Sequence, residues 1–161
     1  MGDRVKQTLF AILEPDLGDA QVFDLFAGSG AAGIEALSRG AAHVTFIERD
    51  ADACRVIRAN LERTHLASED VRIVTETVGR WLGNPPRALF DMAIVDPPYD
   101  QPAELVETLR QLGPHLRPGG RVVAKHPTVT PAPRAIGLLA SERERRFGET
   151  TLTFYRREEE P

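Results

Sequence analysis

A single cysteine, Cys54, stands among the 161 residues, which excludes an internal disulfide framework and a multi-cysteine zinc site and fits a reducing compartment. Its helical surroundings make it a packing residue. The four histidines, His43, His65, His115 and His126, are scattered rather than paired at ligand spacing, so no metal is expected. No uninterrupted apolar stretch approaches the length of a bilayer span, and no basic segment leading into an apolar run opens the sequence; a cytoplasmic protein without membrane contact is the expectation. An excess of basic charge is lacking too: 20 Lys and Arg against 24 Asp and Glu give a formal net charge of −4. Any nucleic-acid role must therefore rest on a local basic face. Repeats, low-complexity runs and linkers are absent, and the length is that of about one domain with a core of its own.

What is present centres on Val22-Phe23-Asp24-Leu25-Phe26-Ala27-Gly28-Ser29-Gly30-Ala31-Ala32-Gly33, where an apolar strand runs into a glycine turn and an alanine-rich helix. Such a turn leaves backbone N–H groups free to face a ligand. Gly28 and Gly30 permit positive φ and close approach, and Gly33 lets the helix sit against the strand. The same spacing fits a dinucleotide fingerprint, with Glu48 where a ribose ligand is expected. Asp24 separates the two in part: a carboxylate at the strand end repels a pyrophosphate and welcomes a cationic amino group, as in S-adenosylmethionine.

The rest of the chain alternates. A helix over Gly2 to Leu13, with Asp3 as N-cap, precedes strand one, Gln21 to Phe26. A helix from Ala31 to Arg39, a strand from Val44 to Glu48, a helix capped by Asp50 and a strand from Val71 to Val74 follow. A brief helical piece surrounds Arg80-Trp81-Leu82, with Trp81 packing rather than stacking on a cofactor. A fourth strand, Phe90 to Val95, leads into Asp96-Pro97-Pro98-Tyr99. Then come a helix from Pro102 to about Leu116, broken near Gly113-Pro114, a Pro118-Gly119-Gly120 turn and a strand over Arg121 to Lys125. Segments at Leu138 to Arg146 and Thr151 to Arg157 pair as a hairpin through Phe147-Gly148-Glu149, and an acidic tail at Glu158 to Pro161 is expected to be loose. The fold class is α/β, a doubly wound, mostly parallel sheet with one reversed strand.

In such a sheet, ligands bind beyond the carboxyl ends of the strands. The glycine turn, Glu48, Thr77-Val78 and Asp96-Pro97-Pro98-Tyr99 all fall there and share one crevice. Glu48 can accept from both hydroxyls of a ribose. The two prolines stiffen the backbone and remove donors, so the Pro97 carbonyl can accept beside the Asp96 carboxylate. An exocyclic aromatic amine held at both N–H groups presents its lone pair, and Tyr99 offers a face on which a base can stack.

Asp24-Leu25-Phe26-Ala27-Gly28-Ser29-Gly30 and Asp96-Pro97-Pro98-Tyr99 resemble the cofactor and amino-methylating motifs of class I S-adenosylmethionine-dependent methyltransferases. Asp3-Arg4-Val5-Lys6-Gln7-Thr8-Leu9-Phe10 and Gly33-x-Glu35-Ala36-Leu37-Ser38-Arg39-Gly40-Ala41 further resemble the bacterial 16S ribosomal RNA (guanine-N2)-methyltransferase family, over nearly the whole chain. That resemblance implies a single methyltransferase domain with a seven-stranded sheet. It implies S-adenosylmethionine contacts at Asp24, Phe26, Ala27, Gly28, Ser29, Gly30, Glu48, Arg49, Thr77 and Val78. It also implies a catalytic base pocket at Asp96, Pro97, Pro98 and Tyr99, and ribosomal RNA or the small ribosomal subunit as the partner of a cytoplasmic monomer. Arg4 and Lys6, with Tyr99, are the expected substrate contacts, and Arg143, Arg145 and Arg146 are further basic candidates.

Three features depart from the family pattern. The chain starts almost at its first helix, so the family's basic N-terminal RNA-binding extension is expected to be missing. Thr77-Val78 stands where many relatives hold the adenine ring with a polar residue followed by alanine. Lys125-His126 has no assigned counterpart, a surface pair and a substrate contact being equally open. Other functions stay open as well: N-methylation of an adenine amine in DNA or RNA, a dinucleotide-binding oxidoreductase, or a cofactor-binding module without catalysis.

Overall fold

The computed structural model describes residues 1–159. The last part of the acidic tail, Glu160 and Pro161, lies outside the described residues. The first helix, α1 (Asp3–Leu13), has Gly2 at its N-cap with no side-chain cap bond. Asp3 is thus the first helical residue rather than the cap, and its carboxylate lies at the positive end of the helix dipole.

The chain then runs β1 (Gln21–Leu25), α2 (Ala31–Ser38), β2 (His43–Glu48), α3 (Ala51–Arg63), β3 (Val71–Thr75), α4 (Val78–Leu82), β4 (Phe90–Val95), α5 (Pro102–Leu112), β5 (Leu116–Pro127), β6 (Ala135–Ile136), β7 (Leu139–Phe147) and β8 (Thr150–Arg157). These strands form one eight-stranded sheet in the order β3-β2-β1-β4-β5-β8-β7-β6. The strands from β3 to β5 in that order are parallel, and β8 is antiparallel to both β5 and β7. The eighth strand is the two-residue β6, paired antiparallel to β7. It reads as loop in sequence because it is too short to show alternation.

The central strands β1, β2, β4 and the middle of β5 bury both faces. Phe23, Leu25, Ala93, Val95, Val122 and Ala124 pack with α4 and α5, whereas Val22, Val44, Phe46, Met92, Ile94 and Val123 pack with α1, α2 and α3. Adjacent residues of one strand point to opposite faces, which is why these strands read as continuous apolar runs. The hairpin is tighter than expected: only Gly148 and Glu149 separate β7 from β8, with Gly148 at φ 61°. Glycine at the first loop position with positive φ matches the right-handed twist of the flanking strands. In β5 the Pro118-Gly119-Gly120 turn is absorbed into the strand as an irregularity, the register with β4 jumping between Phe90↔Leu116 and Met92↔Arg121.

The chain leaves β1 toward β2 and β3, then returns to place β4 on the other side of β1. Where that direction reverses, the carboxyl ends of β1 and β4 open a crevice. Among the described residues, no helix is long and apolar enough to cross a membrane.

Candidate active site

The glycine turn starts at Phe26, which leaves strand geometry with φ 60°. A positive φ at a bulky residue is unusual and marks a functional turn. Gly28 and Gly30 follow at φ 57° and 81°. At Gly33 the reason for glycine is steric: a Cβ there would come within 2.3 Å of the Phe46 ring.

The backbone donors of this turn are mostly spent inside the protein. Ala27 N–H donates to the Ile47 carbonyl and Gly30 N–H to the Ala27 carbonyl. Gly28 N–H donates to Glu48 Oε1 at 2.9 Å, and Gly33 N–H to Asp24 Oδ2 at 2.9 Å. The expectation of N–H groups open to a ligand is corrected at these positions, because two carboxylates and two carbonyls already take them. A pyrophosphate would meet the Glu48 carboxylate and a turn whose donors are already taken, where a dinucleotide fold offers free donors, which disfavours the oxidoreductase alternative.

Asp24 is 2% exposed, behind the turn rather than in the crevice. Burial pushes its carboxyl up to about 8, opposed by the Gly33 hydrogen bond and assisted by the nearby charges of Asp96 and Glu48. Glu48 ends β2, and its second oxygen, Oε2, accepts from Asp50 N–H at 2.8 Å. Glu48 thus ties the glycine turn to the start of α3 while its carboxylate still lines the cavity. This second duty is invisible in sequence, since it depends on β1 and β2 being neighbours.

A cavity of about 340 Å³ lies over the strand ends, lined by Phe26, Ile47, Glu48, Arg49, Asp50, Thr77, Val78, Asp96, Pro97, Pro98 and Glu104. Its size falls in the range of small-molecule sites. Expected cofactor residues Phe26, Glu48, Arg49, Thr77 and Val78 meet there with Asp96, Pro97 and Pro98. Ala27, Gly28, Ser29 and Gly30 shape the turn beside it without lining it. Ile47 and Glu104 are additions that the sequence did not single out; Glu104 lies in the first turn of α5, and no local pattern distinguishes it from a helix-dipole acid. Four carboxylates, from Glu48, Asp50, Asp96 and Glu104, surround the space with the single cation Arg49. That donor set suits a cationic ligand with hydroxyls, such as S-adenosylmethionine, better than a phosphate-bearing one. Thr77 Oγ1 caps α4 by accepting from Arg80 N–H.

Asp96-Pro97-Pro98-Tyr99 closes the crevice from the β4 side. Pro98 carbonyl accepts from Gln101 N–H, whereas the Pro97 carbonyl accepts no hydrogen bond among the described residues. Tyr99 is 52% exposed and its hydroxyl donates to the Glu149 carbonyl at the tip of the β7–β8 hairpin. The ring is thereby held in place with much of its surface open.

Lys125 and His126, left open in sequence, part company in the structure. His126 is buried, with Nδ1 against the carbonyls of Pro127 and Thr130 and Nε2 2.7 Å from Thr153 Oγ1. Two carbonyl acceptors require the proton on Nδ1, so His126 is a tie for the loop after β5 and neither surface nor substrate group. Lys125 Nζ lies 3.3 Å from Asp96 Oδ1. Trp81 packs edge-on against Phe23 at 5.0 Å, away from the cofactor cavity. Neither Arg4 nor Lys6 reaches the crevice: Arg4 sits over the Phe147 ring, 5.8 Å from its centroid, and Lys6 is half-buried on α1.

Comparison with known proteins agrees with this geometry. YlbH of Bacillus subtilis, provisionally named an rRNA methyltransferase, is 32% identical over 163 residues, covering 96% of this chain and 85% of YlbH. Ribosomal RNA small subunit methyltransferase D of Haemophilus influenzae is 39% identical over 99 residues, which covers 61% of this chain and 51% of that protein. The chain thus aligns with about half the length of methyltransferase D. Among solved structures, Escherichia coli yhhF, provisionally named a methyltransferase, superposes with TM-score 0.90 at 31% identity, covering 99% of this chain and 88% of yhhF. An RNA methyltransferase from Salinibacter ruber, solved with S-adenosyl-L-homocysteine, shares the fold with TM-score 0.77 at 19% identity over 100% of this chain and 95% of its own. A family model described as Conserved hypothetical protein 95 matches residues 1–156. Because that model spans nearly the whole chain and the B. subtilis relative aligns over 96% of it, the chain belongs to the Conserved hypothetical protein 95 family.

Proposed function

We propose that this chain is an S-adenosylmethionine-dependent methyltransferase domain acting on the exocyclic 2-amino group of a guanine in small-subunit ribosomal RNA. The observation that carries the reading is the presence of Asp96, Pro97 and Pro98 in the wall of the carboxylate-lined cavity, with Tyr99 next in the chain just outside it. The rRNA methyltransferase names of the B. subtilis and H. influenzae relatives support the substrate class.

S-adenosylmethionine supplies a methyl group carried on a sulfonium. On the protein side, Glu48 accepts from the ribose hydroxyls, Phe26, Ile47, Thr77 and Val78 enclose the adenine side, and the glycine turn sets the entry of α2. Asp96 and the Pro97 carbonyl each accept one N–H of the target amine, which draws its lone pair out of conjugation and toward the cavity. Catalysis then rests on alignment, which is worth about 7–11 kcal/mol in well-oriented reactions. The amine proton displaced by methylation passes by way of Asp96 to solvent. The target base, turned out of its stack, lies against the Tyr99 ring.

A route for the RNA follows the hairpin. Arg143 and Arg145 stand opposite Phe154 and Leu152 in register, on the α1 face of the sheet, with Phe147 and its neighbour Arg4 further along. The hairpin tip bonds Tyr99, so this basic stripe leads to the base pocket.

The testing experiment is transfer of labelled methyl from S-adenosylmethionine to small ribosomal subunits lacking the modification, followed by nucleoside analysis. Label in 2-methylguanine is the expected result. Label in a methyladenine would select the adenine-amine alternative, and absence of label with cofactor binding intact would select the non-catalytic one.

A further inference from the structure

Lys125 stands beside Asp96 at the reacting end of the crevice, just outside the cavity that Arg49 lines. The β4–β5 register pairs Val95 with Ala124, which sets Asp96 level with Lys125 on the neighbouring strand. Its ammonium lies 3.3 Å from Asp96 Oδ1 and 6.0 Å from the centre of the Tyr99 ring. The Lys125 side chain is 18% exposed, so a long, normally solvated chain is held against the pocket. Asp96 Oδ2 accepts no hydrogen bond among the described residues. An acceptor, Asp96, and a donor with protons to spare, Lys125, therefore stand side by side where the base must enter.

Guanine presents a donor at its 2-amino group, a second donor at N1 and an acceptor at O6. Adenine presents a donor at its amine and an acceptor at N1. A carboxylate followed by an ammonium matches the first order and opposes the second, since adenine N1 would face a carboxylate oxygen. An ammonium has three donors, so the bond to Asp96 leaves two for a base oxygen.

We propose that Lys125 determines the specificity for the target base: Asp96 accepts from the 2-amino and N1 hydrogens of guanine while Lys125, paired to it, donates to O6. This rests on the guanine-methylating function proposed above. Lys125 also positions Asp96, since it holds one oxygen and leaves the other for the amine.

The test uses the wild-type chain, Lys125→Met and Lys125→Arg with small ribosomal subunits, and with reconstituted subunits in which the methylated guanine, once located, is replaced by 2-aminopurine. That analogue keeps the amine and lacks both O6 and the N1 hydrogen. Wild type is expected to prefer guanine over 2-aminopurine by about tenfold or more, as a bidentate base contact provides. K125M is expected to lose about tenfold or more in kcat/KM on guanine and the O6 share of the preference, the share that Asp96 reads at N1 remaining, with S-adenosylmethionine affinity within about twofold of wild type. K125R, which keeps a donor and the charge, is expected to restore part of both. Wild-type label in 2-methylguanine with K125M equally active and equally selective overturns the inference alone. Wild-type label in any other product, or none, overturns the guanine function and the inference with it.

Discussion

In the ligand-free protein at pH 7, Asp24 is mostly protonated, because burial holds its carboxyl at about 8. The neutral form still accepts from Gly33 N–H. A carboxyl whose folded value lies above its unfolded one contributes stability that is complete below the ordinary value of about 3.9 and is lost as pH rises through the folded value. The unfolding midpoint of the wild type is therefore expected to fall relative to Asp24→Asn between about pH 4 and 8 and to level off above, since an amide keeps the acceptor without the charge. Parallel Tm curves for the two proteins would contradict the buried, neutral assignment. Asp96, by contrast, lies in the cavity wall, where the proposed reaction uses its oxygen to hold the amine. Asp96→Ala is expected to reduce methyl transfer by about a hundredfold or more while S-adenosylmethionine affinity, read by calorimetry, stays within about threefold. Equal losses in both would remove its proposed role. Both aspartates were visible in the sequence as strand-end acids, but their different surroundings were not: Asp24 lies behind the glycine turn and Asp96 faces the crevice. Lys125 was legible only as a lysine at the end of a strand, because its partner is 29 residues away.

Among the elements, the β1–α2 junction carries the most specific chemistry of the fold. Its three motif glycines do different things. Gly28 has open space around its missing Cβ and needs glycine for φ 57°, whereas Gly33 has ordinary helical geometry and no room for a methyl beside Phe46 and Asp24. Gly28→Ala is expected to cost about 1–2 kcal/mol through backbone conformation. Gly33→Ala is expected to cost about 1–3 kcal/mol through overpacking and to push α2 away from β1 and β2. Urea unfolding midpoints measure both costs, and G33A alone is expected to weaken the Asp24–Gly33 bond; because that bond opposes the upward shift caused by burial, the pH dependence assigned to Asp24 is expected to persist or steepen. The elements themselves were largely legible, since alternating apolar runs, Gly40 and the Asp50 cap, which accepts from Asp52 N–H, are local signals. Elements defined by their neighbours were not. The two-residue β6 and the irregular start of β5 exist as strands only because β7 and β4 lie beside them.

For the whole molecule, the net charge of −4 makes long-range attraction to RNA weak, and the proposed RNA route relies on the local stripe on β7 and α1. Replacing Arg143 and Arg145 with alanine is expected to raise KM for ribosomal subunits and to flatten its salt dependence by about one unit of log–log slope for each phosphate no longer neutralised, with cofactor binding unchanged. An unchanged salt slope would move the RNA surface elsewhere. The sequence by itself determined the α/β class, the glycine turn, the Asp-Pro-Pro-Tyr loop and their common place at strand ends, because hydrophobic period and turn chemistry act over a few residues. Tertiary structure alone decided that Glu48 holds the glycine turn, that His126 is a buried tie, that Tyr99 is anchored by the hairpin and that Lys125 meets Asp96. Each of those contacts joins residues at least 20 apart in the chain. The order and register of the strands bring them together, and no local pattern of side chains encodes that order.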